Sequence, residues 1–124
     1  MFKAIMLVGL GGGLGSILRY LSSQLTNKIP NLSFPLGTFL VNIAGCLLVG
    51  ILIGLFSRAE FANPNWKFLL ITGFCGGFTT FSAFSAESIS MFQSGNSFLA
   101  ILYIAASVLV GLLAVWLGMV VVES

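Results

Sequence analysis

Apolar residues run along this chain in long blocks that charge interrupts at few points. No Asp, Glu, Lys or Arg falls within 29–57, 68–86 or 88–122. A helix needs roughly 20 mostly apolar residues to cross a bilayer. The first stretch, Ala4 to Leu18, is shorter, but it extends through Tyr20 and Leu21 if Arg19 lies near the membrane edge. The pattern predicts an all-α integral membrane protein, one domain over 1–124, with helices over about 2–25, 35–57, 66–94 and 97–122. Turn-forming residues separate them: Asn27 and Pro30 with Asn31, Asn63-Pro64-Asn65, and Gly95-Asn96. Pro35 suits the first turn of the second helix, and Trp66 with Lys67 suits an interfacial anchor opening the third. Lys3 and the apolar run after it imitate a signal peptide. The segment Gly11-Gly12-Gly13-Leu14-Gly15 leads into Arg19-Tyr20 instead of a cleavage site, so the first helix is expected to be retained.

Composition agrees with a membrane protein. Hydrophobic residues make up 58% of the chain and charged ones 6%, against about 25% charged in an ordinary soluble domain. Mean hydropathy is +1.12. Too little charge remains to cover a water-facing surface, and intrinsic disorder is excluded on the same ground. A net charge of +2 without a basic cluster argues against nucleic acid as a partner. The distribution of cations says more. With four spans, Lys3, Arg58 and Lys67 share one side, and Lys28 and Arg19 the other. Three against two is almost no bias for the positive-inside rule to act on. Either a subtler signal orients the chain or it inserts both ways round. Insertion both ways permits an antiparallel homodimer with its two-fold axis in the membrane plane.

The chemistry available is limited. There is no histidine, and Cys46 and Cys75 fall inside predicted spans without CxxC spacing. Cys/His metal sites and histidine-based catalysis are therefore excluded, and the thiols read as small buried apolar groups. Polar groups inside a membrane are costly and tend to line an interior or a pathway. In the second helix Thr38, Asn42, Gly45 and Val49 share a face, with Asn42 the strongly polar member. In the fourth, Tyr103 and Ser107 stand one turn apart, with Gly111 and Gly118 further along. Each set reads first as interhelical glue, with the wall of a path as the alternative. The overlapping GxxxG patterns of Gly9, Gly11, Gly13 and Gly15 read as close helix contact.

The third helix is the least regular. Paired glycines (Gly76, Gly77) and paired threonines (Thr79, Thr80) are poor helix formers. An interruption inside a membrane frees carbonyls and N–H groups that protein, water or an ion must satisfy, and these groups attract cations and anions respectively. Phe74, Phe78, Phe81 and Phe84 are spaced as one helical stripe. Such a stripe is ordinarily core, yet the positive rim of an aromatic ring can favour a small anion without trapping it, as conduction requires. Glu87, one turn after Phe84, is either an intramembrane functional acid or a solvated group near the interface.

These residues resemble a known family. The string Gly73-Phe74-Cys75-Gly76-Gly77-Phe78-Thr79-Thr80-Phe81-Ser82-Ala83-Phe84 is similar to the signature of the Fluc (CrcB) fluoride channels. The segment from Pro35 through Gly37, Thr38, Val41 and Asn42 to Gly45 resembles the family's second motif. Gly12 and Gly15 followed by Arg19-Tyr20 resembles the third. The resemblance covers essentially the whole chain. It implies an antiparallel, dual-topology homodimer in the cell (inner) membrane with two fluoride pathways. It also implies a structural sodium ion at the dimer centre, held by the backbone carbonyls of Gly76 and Thr79. The pathway residues it implies are Asn42, Phe81, Ser82, Phe84, Tyr103 and Ser107, and Thr38, Thr80, Ala83, Glu87 and Arg19 are further candidates.

One position departs from the family pattern, which usually has threonine where this chain has Ala83. If that hydroxyl helps to replace water around fluoride, its loss slows conduction. The expected function is passive, fluoride-selective export driven by the membrane potential. The alternative is a small multidrug-resistance exporter, a four-helix antiparallel dimer of similar length that relies on a glutamate in helix one, where this chain has none. A purely structural membrane subunit is a third reading. A membrane enzyme fits least, since Glu87 alone could act as acid or base at mid-span.

Overall fold

The structure, a computed structural model, describes residues 1–26, 28, 34–58 and 63–123. These residues form four helical spans long and apolar enough to cross a membrane. Helix α1 is Phe2–Thr26 and α2 is Leu36–Phe56. The third span is composite: a short α3 (Pro64–Lys67), a π-helical stretch Phe68–Cys75, a single turn α4 (Gly76–Phe78), and α5 (Phe81–Gln93). Helix α6 is Ser97–Glu123. The expected loop residues Asn27, Pro30 and Asn31 lie outside the described residues.

Local chemistry sets the ends of these elements. Asn63 caps α3 by accepting from the Asn65 N–H at 3.0 Å, and Pro64 occupies the first turn, where its missing N–H costs nothing. At the end of α5 the Asn96 N–H donates to the Met91 carbonyl and the Gly95 N–H to that of Phe92. Gly95 sits at φ 88°, the left-handed conformation this Schellman turn needs. Arg58 donates to the Val122 carbonyl at 2.6 Å, a cation closing the C-terminal end of α6.

Glycines decide which helices touch, because spans in lipid associate through close packing and not through a hydrophobic drive. A methyl at Gly11 or Gly15 of α1 would strike the carbonyls of Leu69 and Phe74, and one at Gly77 would strike that of Gly12. So α1 lies flush against the third span. At the other half of the α1 glycine pattern, Gly9 and Gly13, an added methyl would meet nothing within 4 Å. On the other side α2 runs along α6. Gly50 faces the Val115 carbonyl, and a methyl at Gly118 would come within 2.6 Å of the Leu47 carbonyl. Gly50→Ala is expected to destabilise the folded protein by about 1–3 kcal/mol, the usual cost of overpacking, read as a lower melting temperature in detergent. Two apolar clusters complete the packing, one around Leu52, Phe56 and Cys75, the other around Met91, Ala100 and Tyr103.

The interruption in the third span differs from the expectation in one respect. Gly76 keeps helical dihedrals (φ −62°, ψ −36°), so the paired glycines do not break the helix. The break is at the threonines: Thr79 has ψ 159° and Thr80 has φ −151°. The glycines serve packing instead, Gly77 against α1. The phenylalanines accordingly do not form one stripe. Phe74 and Phe78 stack on each other at 5.8 Å before the break, and Phe81 and Phe84 lie after it.

Candidate functional site

Breaking a helix in mid-span leaves backbone groups to satisfy, and two neighbouring helices do so. The Asn42 carboxamide of α2 pairs with both backbone groups of Thr80. Its Oδ1 accepts the Thr80 N–H at 2.9 Å and its Nδ2 donates to the Thr80 carbonyl at 3.1 Å. This leaves the second Nδ2 hydrogen of Asn42 free to donate elsewhere. From the opposite side, Arg19 Nε of α1 donates to the Gly77 carbonyl at 3.1 Å. Thr79 turns its N–H (3.0 Å) and its hydroxyl (2.8 Å) back onto the Cys75 carbonyl. Thr80 caps α5, its hydroxyl accepting the Ala83 N–H at 3.3 Å.

The consequence falls on two carbonyls. In a continuous helix the Thr80 N–H would go to the Gly76 carbonyl and the Ala83 N–H to that of Thr79. Both donors are diverted, to Asn42 and to the Thr80 hydroxyl. The carbonyls of Gly76 and Thr79 are thus released from the helical ladder. Freed carbonyl oxygens are hard donors suited to a hard monovalent cation, so the residues present fit a carbonyl-held ion. Among the described residues no cluster of three His, Cys, Asp or Glu side chains offers another kind of metal site.

Beside the break lies an open, mostly apolar cavity of about 340 Å³, whose wall includes Asn42, Thr79, Thr80, Phe81, Phe84 and Ser107. Among the described residues no charged side chain contributes to it. The Ser107 hydroxyl oxygen is buried without a hydrogen-bond partner among the described residues, an expensive arrangement unless something in the cavity accepts from it. Phe81 and Phe84 stand 5.8 Å apart with their rings tilted by 46°. Phe81 remains 79% exposed in a single copy of the chain. The cavity also meets the N-terminal end of α5, where the helix dipole favours negative charge.

Of the expected pathway residues, Asn42, Phe81, Phe84 and Ser107 meet on this one wall. Ser82 and Tyr103 do not line it. Ser82 is exposed beside Thr80, with the two hydroxyl oxygens 3.1 Å apart. Tyr103 is fully buried behind Phe84, its ring 5.2 Å from that ring, and donates to Glu87 Oε1 at 3.2 Å. Thr38 donates to the other carboxylate oxygen, Oε2, at 2.9 Å. Glu87 is therefore held by two hydroxyls from α2 and α6, half-buried and not simply solvated. Cys46, Val49, Val108 and Val115 complete the wall. The two valines of α6 carry no signal in an apolar helix, and Cys46 was expected to be buried like Cys75, which is 1% exposed.

Residues 6–119 match the family model described as CrcB-like protein, Camphor Resistance (CrcB). A protein of Flavobacterium psychrophilum named fluoride-specific ion channel FluC is 50% identical over 98% of this chain and 98% of its own. One of Azobacteroides pseudotrichonymphae with the same name is 49% identical over 99% and 98%. A third, from Methylobacillus flagellatus, is 46% identical over 96% and 94%. These relatives are named as channels and not as enzymes. With a match this long and relatives this similar, the chain belongs to the CrcB family.

Proposed function

We propose that the protein is a passive, fluoride-selective channel that exports cytoplasmic fluoride across the cell (inner) membrane, working as an antiparallel homodimer with two pathways. The observation that carries the reading is the cavity beside the break. There a free amide hydrogen of Asn42, the unpartnered Ser107 hydroxyl and the rings of Phe81 and Phe84 converge on a wall without charge. Fluoride is small and tightly hydrated, so a pathway must offer donors in place of water, yet hold the ion loosely enough to release it. Neutral donors and ring rims meet both conditions, whereas a lysine or arginine on the wall would trap the ion.

The direction of transport follows from acid–base chemistry. Hydrogen fluoride enters cells uncharged, dissociates and leaves fluoride inside. A membrane potential negative inside drives an anion outward with about 2.3 kcal/mol per 100 mV. No nucleotide site or proton coupling is required.

Two features support the dimer. The cation bias across the membrane is three against two, and Phe81 on the cavity wall is 79% exposed in one copy, which leaves its ring open to cover by a second. Sodium at the centre of the dimer is supported by the released carbonyls of Gly76 and Thr79, which would hold it there. Bound sodium would supply fixed positive charge and tie the two breaks together.

Purified protein in potassium-loaded vesicles should release fluoride in proportion to a potential imposed with valinomycin, with no nucleotide or pH gradient. Release that requires a proton gradient would contradict the passive reading. Ala83, half-buried on α5, is where a threonine would add a hydroxyl. Ala83→Thr is expected to preserve fluoride flux or raise it several-fold, the equivalent of about 1 kcal/mol. A clear fall in flux would show that the position does not serve dehydration.

A further inference from the structure

Arg19 is the one cation of α1 placed against the break, and the pathway described above does not use it. Its Nε donates to the carbonyl of Gly77, which lies between Gly76 and Thr79 in sequence. The α1 glycine face puts it there. Gly15, one turn earlier, packs against Phe74 and Phe78, and Gly12 against Gly77. An unsatisfied carbonyl in a low-dielectric membrane interior costs several kcal/mol. Without Arg19, the N–H of Phe81 is the partner that a continuous helix would give the Gly77 carbonyl. Forming that bond would draw Thr79 and Thr80 back towards helical dihedrals and return the carbonyls of Gly76 and Thr79 to the ladder.

We propose that Arg19 is a positioning residue for the carbonyl cation site: by occupying the Gly77 oxygen it keeps the break open, so that the Gly76 and Thr79 carbonyls stay available to a monovalent cation. This inference rests on the sodium reading above. The donor and not the charge performs the task. Charge alone acts in the opposite sense, because a guanidinium near a bound cation repels it.

That opposition of sign makes the test decisive. In Arg19→Met the side chain reaches as far as the Nε position and loses both donor and charge. In Arg19→Gln the amide nitrogen occupies the bond position of Nε, so the donor stays and the charge goes. The readout is thermal unfolding of the purified dimer, followed by tryptophan fluorescence across a sodium titration, with no fluoride present. Wild-type protein should be stabilised by sodium. Arg19→Met should need about tenfold more sodium or more for half the stabilisation, the equivalent of one hydrogen bond to a charged group. Arg19→Gln should stay close to wild type.

Unchanged or tighter sodium dependence in Arg19→Met would overturn the proposal, as would a weakened dependence in Arg19→Gln. If Arg19→Met does not yield folded protein, Arg19→Leu, which also lacks the donor, takes its place with the same expected shift. Wild-type protein whose unfolding ignores sodium would remove the cation reading itself, and this inference with it.

Discussion

Asn42→Asp is expected to abolish fluoride efflux while leaving a protein that still inserts in the membrane. The substitution keeps the shape of the side chain and one of its bonds, since a carboxylate oxygen can still accept the Thr80 N–H. It loses the donor that satisfies the Thr80 carbonyl and the free amide hydrogen on the cavity wall. Ionised, it also places a negative charge where an anion must pass. At an effective dielectric of 20, two charges about 4 Å apart repel by about 4 kcal/mol, or roughly a thousandfold in rate. Asn42→Leu separates the two effects. It removes both hydrogen bonds without adding charge and strands the Thr80 N–H, at about 1–3 kcal/mol, while the Thr80 carbonyl keeps its place at the head of the α5 ladder. Its chief effect should be on melting temperature. Efflux from Asn42→Asp equal to wild type would remove Asn42 from the pathway.

Phe84→Ile is the second large effect. The isoleucine preserves apolar bulk, so the contact with buried Tyr103 is weakened and not emptied. What disappears is the ring and its positive rim. Efflux should fall by about tenfold or more, the loss of one or two ring-edge interactions, while the protein elutes from a sizing column as before. Phe81→Ile should act in the same sense. Phe81 is largely exposed and carries little packing within its own copy, so stability should change even less. Wild-type rates in both variants would return the pair to a packing role.

Much of this molecule is legible in the chain because lipid imposes simple demands. Length and apolarity alone mark four spans, and a helix interior that must satisfy its own backbone marks Gly76 to Thr80 as irregular. The location of the break was harder to read. Glycine and threonine are both weak helix formers, and only tertiary contact separates them. Gly77 is held helical against Gly12 of α1, whereas Thr79 and Thr80 find partners outside the ladder in Cys75 and Asn42. The spacing of Phe74, Phe78, Phe81 and Phe84 assumed a helix that does not continue through residue 80.

Asn42 shows a different limit. An amide in mid-span is conspicuous, but spacing does not say whether it binds a neighbouring helix or faces a cavity, and the two are not exclusive. It pairs with Thr80 and lines the cavity. Glu87 is conspicuous for the same reason, yet its partners Thr38 and Tyr103 come from helices 49 and 16 residues away. No local pattern encodes those contacts.

The central claim is that neutral donors and ring rims replace the hydration shell of fluoride and of no larger halide. Vesicles reconstituted with the pure protein and loaded with equal fluoride and chloride, with the potential clamped, test it in one experiment. Fluoride should leave rapidly while chloride is retained. Equal release of the two halides, or retention of both, would contradict the account.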